Sequence, residues 1–515
     1  MKPTIRRLFV LQIAMVLFCG SISLPAADWP MFGHDPRRSG WASEEKALTK
    51  STVPDLELKW KTKLKNEPRF LTALTAPVVA SGVDTPQGRM TLVYVAGSSN
   101  NLYALDASTG AVVWNREFDT LVLPGSGKHQ FTVYCPLGIN ATPVIDRDSG
   151  TIYAIAMDGR FFGLDLATGK DKFLPIPFVA PFSKSWSLNL VDGIVYTSMT
   201  QGCGNAPSGF YSIDVRDPHR PLIRMLVLSN TDLAGIWGRG GAVAGMNHRI
   251  YGLTADGPLE PSAGEYGSTA IAASLPDLAP IDYFAPNNAR LITKADLDLA
   301  SGSPVWFKFG QFELLAGGGK EGVVYLLDAN NLGGKDHHQS LFTTPRLGND
   351  EHIWNGRGIW GAPAEWQDES GETWLYVPIW GPLSRSAPIF PKTNGPNPHG
   401  SMVAFKVVPD SATKQPALEP AWVSGDFNLP DPPIVANGVV FALSTGENAL
   451  QFSDRNQHTN PGVLYALDAK TGVVLWNSGT QINSWVHFSG LAMSDGQVYS
   501  VDHDSWVYCF GLKKK

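Results

Sequence analysis

The sequence predicts an all-β chain, a single eight-bladed β-propeller of four-stranded antiparallel blades, and three observations carry that prediction. Fifty-two Gly and 38 Pro supply turns at high density, and 16 Trp supply large rings for packing between short strands. A strand–turn–strand unit recurs with nearly the same residues at distant places in the chain. Paired apolar strands recur about every 45–70 residues, the spacing of a propeller blade rather than of a solenoid turn. Composition excludes other classes. Charged residues are 17% and hydrophobic ones 43%, so the chain is not disordered. The net charge of -6 carries no basic excess, which argues against phosphate-driven nucleic-acid binding.

The first element is a leader. Lys2, Arg6 and Arg7 precede an apolar run from Leu8 to Phe18, and small residues follow up to Ala26 and Ala27. This is the pattern of a secretory signal, too short to span a bilayer. Residues 1–26 are expected to be a cleaved signal peptide and residues 27–515 the propeller, placing the protein in the periplasm or outside the cell. No later stretch is long and apolar enough for a membrane span.

Beyond the leader three cysteines remain, Cys135, Cys203 and Cys509. In an exported protein the arithmetic is one disulfide and one buried thiol. Cys135 and Cys203 are the expected pair, because their loops emerge on one face in nearby blades. No CxxCH motif occurs, so the chain carries no covalent c-type haem.

The repeat reads LYALDASTGAVVW from Leu102 and LYALDAKTGVVLW from Leu464, with looser copies from Phe161, Phe210 and Val324. Each copy alternates as a strand, turns after its Asp and leaves on a second strand, the copies from Leu102, Phe161 and Leu464 turning on Asp-x-x-Thr-Gly. The Asp carboxylate is suited to accept turn amides, and Gly110, Gly169 and Gly472 to take positive φ. Trp114, Phe173 and Trp476 stand at one fixed spacing after the Asp, where a ring can pack on a neighbouring unit. First strands are expected near Pro77, Pro143, Leu188, Ala242, Pro304, Ala362, Pro433 and Leu491. The last unit has only three strands of its own. LELKWKTKL from Leu56 supplies the fourth, with Trp60 at the aromatic position, and closes the ring without a free edge.

The AxDxxTGxxxW pattern at residues 104–114 and 466–476 resembles the tryptophan-docking repeat of pyrroloquinoline quinone (PQQ) dehydrogenases and related propellers. DWPMFGHDPRRSGW from Asp28 is similar to the N-terminal signature of exported PQQ-repeat proteins. The resemblance covers essentially the whole mature chain and implies the fold more strongly than the activity.

Propeller geometry places the crossovers and the loops between second and third strands on one face, and the Asp-x-x-Thr-Gly turns on the other. That first face collects Trp186, Trp237, Arg239, Asp256, Asp296, Lys320, Arg357, Trp360, Trp485 and His487. Indoles and guanidinium groups suit a flat aromatic anion, which makes Trp237, Arg239, Arg357 and Trp360 candidates for holding a quinone cofactor. Within the resemblance, IWGRGGAVAGMNHRIYGLTADG places Trp237 beneath the quinone ring and Asp256 at a calcium-ligand position. DLDLASGSPV is similar to the segment bearing the catalytic, metal-binding Asp, which falls on Asp296. GGGKEGVVYLLD resembles the segment whose Lys contacts the quinone oxygens, which falls on Lys320. The family's carboxylate in the third blade is replaced, leaving Asn205 in GCGNAPSG as the ligand candidate there.

Two functions are compatible with these residues. One is an exported quinoprotein dehydrogenase using PQQ and calcium, with Asp296 as base and Lys320 as quinone activator. It would oxidise an alcohol, polyol or sugar and pass electrons to a separate acceptor. The other is a non-catalytic scaffold presenting loops to an envelope protein partner.

Overall fold

The computed structural model describes residues 27–513 except 122–134, 136–137, 449–456 and 488. The expected leader and the GSGKH segment from Gly125 lie outside the described residues. Eight antiparallel sheets follow one another along the chain, each with its first strand innermost. The innermost strands begin at Val78, Val144, Asn189, Val243, Val305, Gly358, Ile434 and Ala492, close to the expected starts. Blades 1 to 5 and blade 7 have four strands in chain order. Blade 6 departs from four strands. Gly358–Ile359 and Ala364–Gln367 both pair with Thr373–Trp380, and Lys392–Thr393 adds a parallel strand beside Pro416–Val423. The long loop carrying residues 381–399 supplies that extra strand. Among the described residues there is one α-helix, Ala289–Lys294, in the crossover from blade 4 to blade 5.

Blade 8 closes the ring as expected. Leu56–Lys63 pairs antiparallel with Trp506–Leu512, in register Glu57 to Gly511 and Trp60 to Cys509. The propeller is thus held shut by strands from both ends of the chain, with no free edge at the seam.

The core lies between blades. One apolar cluster joins blades 1 and 2, another blades 2 and 3, and the series continues around the ring. Second strands such as Thr373–Trp380 are therefore buried at every position, because both faces of the sheet abut a neighbouring blade. The docking tryptophans explain the repeat. Trp114 of blade 1 donates its indole N–H to Leu166 O at 2.9 Å and lies over Gly169 of blade 2, where an added Cβ would sit 2.6 Å from its ring. Trp60 stands in the same relation to Gly110, and Trp422 to Gly472. These three glycines have φ of +73, +67 and +69° in the order Gly110, Gly169 and Gly472, so both the turn and the ring above it require glycine.

Residues 27–45 form a second closure that runs inside the ring. The main chain of Trp29 pairs with Val79 of blade 1, and Pro30 O accepts the Ile145 amide of blade 2 at 2.8 Å. Pro36 O accepts from Asn189 of blade 3 and from the Ala244 amide of blade 4. Trp306 of blade 5, Glu365 of blade 6 and Val435 of blade 7 then donate their amides to Arg37, Ser39 and Gly40 in that order. Phe32 packs with Ala76 and Ala362, and Gly240 and Gly490 lie against its ring.

Candidate functional site

Three acids and one lysine meet where blades 4 and 5 join. Asp256 follows the second strand of blade 4, Asp296 and Asp298 end the crossover after the helix, and Lys320 begins the loop after the second strand of blade 5. One oxygen from each acid lies within 4.8 Å of the others. Lys320 Nζ donates to Asp296 Oδ1 at 2.7 Å, to Asp296 O at 3.0 Å and to Asp298 Oδ2 at 2.6 Å. The Asp256 amide donates to Asp298 Oδ1 at 2.7 Å. Lys320 and Asp298 are buried, Asp256 is half-buried, and the Asp296 side chain is 52% exposed.

The electrostatics follow from that count. Burial pushes the Asp256 carboxyl up to about 7, helped by the neighbouring Asp298 charge. Burial also raises Asp296, against the pull of Lys320, to about 6. Asp298 resists its own burial because Lys320 and the Asp256 amide hold it ionised, below the usual carboxylate range. Lys320 in turn stays charged despite burial, through Asp298 and Asp296. The group carries more negative than positive charge, the condition for attracting a hard cation.

The floor beneath is aromatic. Lys320 Nζ stands 5.5 Å from the Trp237 ring centroid and 5.6 Å from that of Trp360. Trp360 stacks on Trp380 at 4.8 Å and meets Trp237 edge-on at 5.4 Å. The sequence-based candidates Trp237, Asp256, Asp296, Lys320 and Trp360 are therefore neighbours. Arg357 is next to them in the chain, its carbonyl accepting the Trp360 indole N–H at 2.6 Å.

Other candidates fall elsewhere. Arg239 is buried against Trp186, 5.2 Å from its ring, and donates to the Asn140 and His487 carbonyls. It belongs to a second polar group containing Lys184, Asp431, Glu447 and His487. In that group Lys184 Nζ donates to Gln201 at 2.9 Å, and His487 meets Glu447 at 2.9 Å. Asn205 is exposed in the turn Cys203–Asn205, and among the described residues no side-chain hydrogen bond ties it to the acidic group. The acid that does join Asp256 and Asp296 is Asp298, which the sequence reading did not single out. Its signal was present in the DLD spacing, which brings two carboxylates to one lysine. The Cys135–Cys203 disulfide is formed, with Cα atoms 5.5 Å apart, and Cys509 is a buried free thiol.

The comparisons bear on this arrangement. A family model described as the β-propeller domain of PQQ glucose, ethanol and alcohol dehydrogenases matches residues 29–180. The chain is a β-propeller whose residues 29–180 match that family. Over 144 residues this propeller is 29% identical to a quinohemoprotein alcohol dehydrogenase of Comamonas testosteroni, a match covering 28% of this chain and 17% of that relative's length. The crystal structure of a quinohemoprotein alcohol dehydrogenase from Comamonas testosteroni shares the fold with a TM-score of 0.60 at 15% identity, over 95% of this chain and 81% of that one. The quinohemoprotein alcohol dehydrogenase ADHIIG of Pseudomonas putida HK5 gives 0.57 at 15% identity, with the same coverage. A europium-containing methanol dehydrogenase gives 0.55 at 14%, over 94% of this chain and 89% of that one. At these identities the likeness is one of fold. Among the described residues no helix is long and apolar enough to cross a membrane.

Proposed function

We propose that this chain is an exported, PQQ-dependent dehydrogenase that oxidises an alcohol, polyol or sugar and passes its electrons to a separate acceptor. The observation that carries the reading is the Asp256, Asp296, Asp298 and Lys320 group standing over Trp237 and Trp360. These residues fit both absent groups. Three carboxylates with one ammonium suit a hard cation such as calcium, and the Asp256 and Asp296 carboxyls, raised by burial and further by the Asp298 charge, are groups that such an ion would hold ionised. Asp256, Asp296 and Asp298 would hold the ion. Trp237 and Trp360 offer faces to a planar ring, and Arg357, beside them in the chain, offers a fork to a carboxylate. When bound, PQQ supplies the two-electron acceptor.

The chain's own residues do the rest. Asp296 is the one exposed acid of the three, so a substrate hydroxyl can reach its carboxylate and give up its proton there. Lys320 keeps Asp296 ionised through a 2.7 Å hydrogen bond and places a positive charge over the aromatic floor. The reading is tested on Asp296→Asn. This variant is expected to keep cofactor binding and lose dye-linked alcohol oxidation, since an amide accepts no proton. Full activity in Asp296→Asn would remove Asp296 from the reaction.

A further inference from the structure

Residues 27–45 touch every blade of the ring in order. Ser494 of blade 8 donates its hydroxyl to Ala27 O, and the Asp28 carboxylate accepts from Ser81 of blade 1 while pairing with Arg147 of blade 2. The segment then passes blades 2 to 7 as described and returns to blade 8, where Glu45 Oε2 accepts the Gly496 amide at 3.0 Å. Its start and its end are thus both held by the first hairpin of blade 8.

Arg38 is the centre of this circuit. It is 1% exposed, and its guanidinium meets only main-chain carbonyls. Nη1 donates to Phe32 O at 2.7 Å, Nε to Gly240 O at 2.9 Å, and Nη2 to Leu188 O at 2.9 Å and Ser187 O at 3.2 Å. A buried guanidinium is tolerated only when its donors are met together, because a partly satisfied charge costs more than the bonds return. Its acceptors come from the segment itself and from the crossovers into blades 3 and 4. The remaining ties are mostly main-chain hydrogen bonds spread over the blades, with the Asp28–Arg147 pair and the buried Trp29, Met31 and Phe32 beside them. None of them offsets the ordering of this stretch alone.

We propose that residues 27–45 are a latch that docks last, in one step, after blade 8 has closed the ring. The segment that is first in the chain stays released until the strands that are last are in place. Its docking then seats Phe32 against Ala76 and Ala362 and clamps the crossovers that carry Trp186, Trp237 and Arg239. The inference stands on the wrap geometry and does not depend on the dehydrogenase reading.

Pulsed hydrogen exchange during refolding of the full mature chain, disulfide intact and read by mass spectrometry with fragmentation, tests it. The probes are the Ile145, Ala244, Trp306, Glu365 and Val435 amides, in five different blades, each of which donates to a carbonyl of the segment. They are expected to gain protection together, with or after the amides pairing Leu56–Lys63 to Trp506–Leu512. Protection of Ile145 or Ala244 before that closure would overturn the proposal. In native-state exchange Arg38→Met is expected to lose protection at all five probes while second-strand amides keep theirs. Loss confined to blades 3 and 4, beside Arg38, would also overturn it. If Arg38→Met does not fold, the wild-type order of protection decides.

Discussion

Lys320 and Asp298 are joined at both main chain and side chain: the Lys320 amide donates to Asp298 O at 3.0 Å, and its ammonium donates to the Asp298 carboxylate at 2.6 Å. This double tie holds the loop of blade 5 against the crossover from blade 4. It fixes the buried cation beside the exposed Asp296. The site is therefore part of the interblade packing and not an addition to it.

Breaking that tie on one side leaves a buried charge with too few partners. Asp298→Ala is expected to destabilise the fold by about 3–5 kcal/mol, read from urea unfolding. Replacing both residues by apolar ones of similar volume should recover much of the loss. An Asp298→Ala variant as stable as wild type would show that Lys320 finds its compensation elsewhere.

The Cys135–Cys203 bond closes a loop with a sequence separation of 68. Replacing both residues by Ala is expected to cost about 4 kcal/mol on the chain-entropy account, measured as a shift in the unfolding midpoint. The Cys509 thiol should be alkylated only on unfolding, because it is buried in the last strand.

Glu365 gives the fold a pH dependence of known sign. Burial pushes its carboxyl up to about 7, Arg37 pulling it down and Asp35 pushing it further up. The unfolded chain ionises this group first, near 4.5, so stability falls as pH rises from there to about 7 and is then level. Glu365→Gln should flatten that part of a melting-temperature profile and raise stability at pH 8. An unchanged profile would mean that the buried acid is neutralised by another group.

Much of this architecture was legible from repeats. The Asp-x-x-Thr-Gly turn and its following aromatic mark places where a ring of one blade covers a glycine of the next, so sequence and packing share one period. The closing strand was legible because Trp60 stands at the same spacing as Trp114. The wrap of residues 27–45 was not, since Arg38 binds main-chain carbonyls and any sequence offers those. Within the candidate site, Trp237, Asp256, Asp296, Lys320 and Trp360 were found through motif spacing. Asp298 was passed over because its partner Lys320 lies on another strand pair. Asn205 was chosen by position in the motif alone, and its exposed turn brings it into no hydrogen bond with the three acids.

The central claim is that the acidic group and its aromatic floor bind a quinone through a metal ion. Equilibrium dialysis of the metal-stripped protein against PQQ, with and without millimolar calcium, tests it most directly. The account predicts quinone retained only with calcium, weakened by Lys320→Ala and kept by Asp296→Asn. No retained quinone at any calcium concentration would contradict it and leave the propeller as a binding scaffold.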